Sequence, residues 1–313
     1  MHSNFNRGYL IALVSAVILS TTGILIRHLT ETYQIPALVL AFWRDTFVGL
    51  CLWMILRGFR PSLLGLNRQQ TTYVVLYGLV LAVFNSLWTL SVTMNGAAVA
   101  TVLAYCSAGF TALLGRWLLK EHLGWGKVLA VIFSLGGCVL IVDALNPSAW
   151  NTNILGILTG TLSGLCYAIY SLMGRSAAQR GLSPWTTVLY TFSFAAVFLL
   201  MFNLFPGGYI PGAAVQPSDL FWLGKTLAGW GILILLAIGP TLLGFGLYNT
   251  SLSYLPSSIA NLILTLEPVF TAIIAYFWLG ERLTGLQIIG GLCILTGVVF
   301  LRLTETRVPA SPE

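Results

Sequence analysis

The stretch Leu266-Glu267-Pro268-Val269-Phe270 lies inside an apolar run from Ile259 to Leu279 and is followed by Gly280-Glu281-Arg282-Leu283-Thr284. About 20 apolar residues is the length a helix needs to cross a hydrocarbon core of about 30 Å. An acid at bilayer depth costs on the order of 3 kcal/mol, so Glu267 is expected to face a partner or an aqueous cavity. The surrounding chain is a scaffold of the same kind. Of its 313 residues, 57% are hydrophobic and 8% charged, against about 25% charged in an ordinary soluble domain. This composition is that of an integral membrane protein.

Apolar windows place helices near 9–27, 36–56, 71–93, 97–119, 126–143, 152–173, 184–205, 229–251, 258–279 and 284–302. The runs are long and continuously apolar, which is the pattern of helices and not of the short alternating strands of a barrel. The first span is too long for a signal-peptide core and is expected to stay in the mature chain. With the N-terminus inside, Arg7, Arg57, Arg60, Arg68, Arg116, Lys120, Lys127, Arg175, Arg180, Arg302 and Arg307 fall on the inner side. Only Arg27, Lys225 and Arg282 fall outside, and Arg44 lies within a span. The positive-inside rule then predicts a multi-pass protein of the cell (inner or cytoplasmic) membrane with both termini cytoplasmic. The net charge of +6 follows from this topology. Because the basic residues are scattered singly, no nucleic-acid partner is expected. Cys51, Cys106, Cys138, Cys166 and Cys293 lie in apolar segments without metal or disulfide spacing.

The chain also reads as a duplication. Residues 96–140 align with 256–300 at a constant shift of 160, pairing Ala100 with Ala260, Phe110-Thr111-Ala112 with Phe270-Thr271-Ala272, Glu121 with Glu281, and Gly137 with Gly297. Earlier in each half the shift is 148, pairing Gly8 with Gly156, Ser15 with Ser163, and Pro36 with Pro184. Five spans per half is an odd number, so residues 1–145 and 146–313 are expected to be inverted relative to each other. The predicted fold is therefore all-α, with ten transmembrane helices in two inverted five-helix repeats around a central cavity, the architecture of alternating-access carriers.

The Leu-Glu-Pro-Val-Phe stretch before Leu-Gly-Glu-Arg-Leu-Thr, set in such a duplicated chain, resembles the EamA-type permeases of the drug/metabolite transporter superfamily. Arg44 in Phe42-Trp43-Arg44 is similar to the arginine of that family's second helix. In the first half the pattern departs, with Ser107-Ala108 opposite Glu267-Pro268 and Lys120-Glu121-His122-Leu123 opposite Gly280-Glu281-Arg282-Leu283. The resemblance implies export or uptake of small metabolites, often amino acids, driven by a proton or other gradient.

At 1.5 Å per residue, Glu267 and Arg44 reach nearly the same depth from opposite sides. Arg44 is placed to pair with Glu267 or with its neighbour Asp45, which leaves one carboxylate free to bind a proton or a substrate ammonium group; a fixed ion pair is the competing reading. Pro268 interrupts its helix, and Ala108-Gly109 is a weaker interruption at the matching place, so Pro268 and Gly109 are candidate gating positions. Asn85 and Trp88 share a helix face with Thr89, and their repeat partners are Phe245, Tyr248 and Asn249. Tyr105, Tyr167, Asn261 and Thr265 complete the expected substrate-binding set. Such a lining suits a small amphipathic solute with an amino group, an amino acid or a related amine. One mid-membrane arginine is too few for a phosphorylated substrate. Glu121 and Glu281 read as complements to helix N-termini.

The expected activity is secondary transport, most plainly export, with protons as the candidate coupling ion, the lipid bilayer as surroundings, and no cofactor or metal. A multidrug or organic-cation exporter is the alternative, followed by a passive channel or a scaffold. No nucleophile-base pairing, His-Glu-x-x-His motif or nucleotide-binding Gly-x-x-x-x-Gly-Lys loop is present, so neither an intramembrane enzyme nor an ATP-driven pump is expected.

Overall fold

The computed structural model describes residues 2–141, 145, 154–205, 209–279 and 284–305, and among these it is helical with no strand. The helices are α1 (His2–Leu19), α2 (Thr22–Thr32), α3 (Ala37–Phe59), α4 (Arg68–Tyr105), α5 (Ser107–Leu118), α6 (Trp125–Ile141), α7 (Ile154–Gln179), α8 (Pro184–Asn203), α9 (Leu227–Leu236), α10 (Gly244–Ser251), α11 (Ser257–Leu264), α12 (Glu267–Leu279) and α13 (Gly285–Glu305). Six stretches are long and apolar enough to cross a membrane, and Trp125–Leu140 and Gly285–Leu301 are shorter apolar helices. Local sequence sets several of the ends. Asn67 and Gln70 exchange side chain and backbone hydrogen bonds at the start of α4, and Pro184 opens α8 at a position where a missing N–H costs nothing.

The helical assignment of α4 runs unbroken, yet the chain doubles back within it. A Cβ on Gly160 would lie 2.6 Å from both Ser91 Oγ and Leu103 Cδ1. Twelve residues of straight helix would separate those two by about 18 Å. The two arms are therefore antiparallel, in keeping with the short hairpin expected between 93 and 97.

Elements distant in sequence interlock. α7 packs against α4 and α5, α1 against α10 and α11, α3 against α8, and α6 against α13. The α6–α13 contact is reciprocal. A Cβ on Gly137 would lie 2.6 Å from the Gly290 carbonyl oxygen, and one on Gly297 would lie 2.9 Å from that of Ala130. A shift of 160 turns one contact into the other.

Three interruptions shape the interior, and one falls where a single continuous span was expected. At Ser20 and Thr21, between α1 and α2, both hydroxyls bond back to α1 carbonyls, Ser20 to Val17 and Thr21 to Ile18. Such back-bonding competes with the helical ladder. Between α11 and α12, Thr265 and Leu266 donate backbone N–H groups to residues only three back, at 3.1 Å each. Pro268, which has no N–H, stands in the first turn of α12. Cys106 separates α4 from α5, so the interruption in the first half precedes Gly109, which lies inside α5. The first two breaks touch, because Thr271 Oγ1 donates to the Ser20 carbonyl at 3.0 Å. Pro240 has only a local effect, widening residues Ala237–Leu243 into a π-helical turn.

Basic residues gather at one end of the bundle. Arg7 lies over the Tyr254 ring, Arg180 over that of Tyr73, and Arg175 donates to the Leu252 carbonyl at 2.7 Å. At the opposite end the segment from Tyr209 to Lys225 is strapped to the bundle. Trp43 donates to the Leu220 carbonyl at 2.6 Å, Trp222 to that of Tyr33 at 3.0 Å, and Asn203 joins the Leu38 carbonyl to the Ala214 N–H.

Candidate functional site

The breaks between α1 and α2 and between α11 and α12 open onto a cavity of about 70 Å³. Its walls include Arg44, Asn85, Trp88, Tyr105, Tyr167 and Glu267, six of the residues singled out from the sequence, together with Leu19, Thr22, Phe84, Ala104 and Phe245. Trp88 and Asn85 come from the first arm of α4 and Tyr105 from the second, so the hairpin in α4 brings them together. Glu267 starts α12 immediately after the break, half-buried, and lines the cavity together with Tyr105.

Of the two carboxylates open to Arg44, Asp45 is the one it takes. Arg44 Nε donates to Asp45 Oδ1 at 3.2 Å, and Asn85 Nδ2 donates to Asp45 Oδ2 at 2.6 Å. Both oxygens of the fully buried Asp45 are thus engaged. Glu267 has no ion pair among the described residues. A buried pair of this kind compensates both charges by geometry, and it leaves Glu267 as the acid that faces the cavity.

Tyr248, Asn249, Asn261 and Thr265 were expected in the same lining, and the structure sets them behind it. Tyr248 donates to Ser171 Oγ at 2.6 Å and stacks on Tyr167 with ring centroids 5.8 Å apart. Asn249 donates to the Tyr170 hydroxyl at 2.8 Å and accepts from Tyr77 at 3.3 Å. Asn261 donates to Thr111 Oγ1 at 3.0 Å and to Ser171 Oγ at 3.1 Å, and it accepts from Ser107 at 3.1 Å. Thr265 is turned back onto the Leu262 carbonyl at 2.6 Å. This buried network ties α4, α5, α7, α10 and α11 together on the side of the cavity nearer the basic end.

Farther toward that end, Glu121 closes the same group of helices. Its carboxylate accepts from the backbone N–H and the hydroxyl of both Ser257 and Ser258, capping α11 from the other half of the chain. The sequence points to the start of the next span, 126–143, whereas the carboxylate caps α11, because the hydrogen-bond donors that meet it are those of Ser257 and Ser258. Lys120, at φ +54°, reverses the chain so that the Glu121 N–H reaches the Gly115 carbonyl at 3.0 Å. Its repeat partner Glu281 lies outside the described residues. Thr22 is the polar lining residue that the sequence pattern did not single out; it corresponds by the 148-residue shift to Tyr170.

The sequence matches the EamA-like transporter family over residues 6–143 and again over 154–303. It is 28% identical to an uncharacterized transporter of Archaeoglobus fulgidus, over 91% of this chain and 93% of that one. It is also 28% identical to the threonine/homoserine exporter RhtA of Salmonella typhimurium, over 80% of this chain and 78% of that protein. A solved crystal structure superposes with a TM-score of 0.73 at 18% identity, covering 97% of this chain and 99% of its own. An all-helical bundle with apolar spans, a buried acid at a helix break and a matching sequence over both halves lead to one assignment: the chain belongs to the EamA-like transporter family.

Proposed function

We propose that this protein is a secondary transporter that exports a small amphipathic metabolite, an amino acid or a related amine, by alternating access, with two inverted five-helix repeats, 1–145 and 146–313, as its moving parts. The observation that carries the reading is the cavity beside Glu267, a carboxylate without an ion pair among the described residues, walled by Tyr105, Trp88, Asn85 and Tyr167. A carboxylate that holds either a proton or a substrate ammonium group, and never both, couples the two flows in opposite directions. The repeat reading is supported by the two family matches and by the reciprocal α6–α13 contact. Clustering of the basic residues at one end supports cytoplasmic termini and ten spans. Amino acids as cargo are supported by the likeness to an exporter of threonine and homoserine. The network around Asn261 supports a state closed toward the cytoplasm, with Pro268 beside one hinge and Gly109 one turn beyond another.

Counterflow in proteoliposomes tests the proposal. Saturable exchange of a labelled amino acid or amine supports a carrier, linear flux indicates a channel, and no flux with any solute indicates a scaffold. A multidrug exporter is distinguished by exchange of bulky organic cations in preference to amino acids.

A further inference from the structure

Two groups in the cavity wall are left without a use by a substrate that carries only an amine. Thr22 is 7% exposed and lines the cavity, and its Oγ1 has no hydrogen-bond partner among the described residues. Buried hydroxyls are almost always paired, so an unpaired one on a residue of a cavity wall leaves a place for a polar group of a ligand. Thr22 is also the first residue of α2, where the helix dipole is positive. Beside it the backbone is open, since a Cβ on Gly23 would meet nothing within 4 Å. The second group is the Arg44 guanidinium, 3% exposed, which gives Nε to Asp45 and makes no other hydrogen bond among the described residues. Asp45 does not line the cavity, and both its oxygens are engaged. The pair therefore presents its positive member to the cavity and keeps its negative one inside the protein.

We infer that the cavity is a zwitterion site. The carboxylate of an α-amino acid is received by the terminal nitrogens of Arg44 and by Thr22 Oγ1 at the start of α2, while its ammonium group is held by Glu267 and Tyr105. This rests on the transporter reading above and narrows it from amines in general to solutes carrying both charges. An amine or organic cation fills only the Glu267 side and leaves Thr22 and Arg44 unpaired. A site built to hydrogen-bond a group discriminates strongly against the analogue that lacks it.

The experiment is competitive counterflow with the full-length protein in proteoliposomes, using a panel of amino acids, each paired with its decarboxylated amine and its methyl ester. Each amino acid that is exchanged should outcompete both of its partners by roughly tenfold or more, the scale of a lost hydrogen bond to a charged group. Thr22→Val should raise the half-saturating concentration of the amino acid by a similar factor without affecting any residual exchange of the amine, and Thr22→Ser should restore it. Arg44→Gln takes from Asp45 its ion-pair partner, so the conservative Thr22 pair carries the test. Equal exchange of amine and amino acid, or a Thr22→Val variant indistinguishable from the parent, overturns the zwitterion site while leaving the transporter reading intact. No exchange by any member of the panel or by organic cations overturns both.

Discussion

Around Asn261 each polar side chain has found another, whereas around Glu267 the polar groups face a cavity with several of them unspent. The two regions share helices and, at repeat-related positions, contrasting chemistry. Tyr170, bonded to Asn249, corresponds to Thr22, whose hydroxyl is unpartnered among the described residues. Ser107, bonded to Asn261, corresponds to Glu267. Two halves that align in sequence can thus differ: one side is zipped with mutually satisfied hydroxyls and amides, at about 0.5 to 1.5 kcal/mol per bond, and the other is left polar and open. On the proposed reading, the contrast separates residues that hold a state from residues that receive cargo.

The largest expected effect breaks the open side. Glu267→Gln keeps the shape but removes the charge, and it should abolish the dependence of transport on an imposed pH gradient. A variant whose transport still follows the gradient removes Glu267 from the coupling step.

Next in size is the closed side. Asn261→Leu leaves Ser107, Thr111 and Ser171 without a shared partner in a buried setting, and unsatisfied buried groups cost about 1 to 3 kcal/mol. The purified variant should melt earlier, and a double-mutant cycle with Ser107→Ala should show non-additive losses. Additive losses would mean that the network is a set of independent contacts. Glu121→Ala removes the cap from α11 and should destabilise the protein by about 1 to 2 kcal/mol. If its melting temperature matches the parent, the carboxylate is not what holds α11.

Sequence alone went far with this contrast and stopped at definite places. Hydropathy pointed to an all-helical protein with apolar spans, and the 160-residue shift paired Gly137 with Gly297, whose contacts are reciprocal. Glu267 stood out because an acid in an apolar run is expensive wherever it faces. Composition could not say which carboxylate Arg44 would take, since Asp45 and Glu267 differ only in where the helices carry them. Nor could it separate Tyr248, Asn249 and Asn261, which are spent on neighbours, from Trp88 and Asn85, which line the cavity. Polar residues on one face look the same until the opposing helix is known. Thr22 was hidden because the break between α1 and α2 arises from hydroxyl back-bonding at Ser20 and Thr21 and carries no proline or glycine signal.

The smallest expected effect lies at the turn that aims Glu121. The second half has Gly280 before Glu281, whereas the first half has Lys120 in that place, with φ +54°. A left-handed conformation costs a residue with a Cβ roughly 1 to 2 kcal/mol, and glycine adopts it freely. The Glu121 N–H bonds the Gly115 carbonyl six residues back, one residue farther than the bond that usually ends a helix through such a residue. Lys120→Gly should therefore relieve strain while keeping the Glu121 cap, and the gain is offset in part by the greater freedom of glycine in the unfolded chain. A net stabilisation of roughly 0.5 to 1 kcal/mol is expected, read as a raised melting temperature, with the Glu121→Ala loss unchanged when the two substitutions are combined. A lower melting temperature for Lys120→Gly would show that the lysine side chain contributes more at this end than its backbone costs.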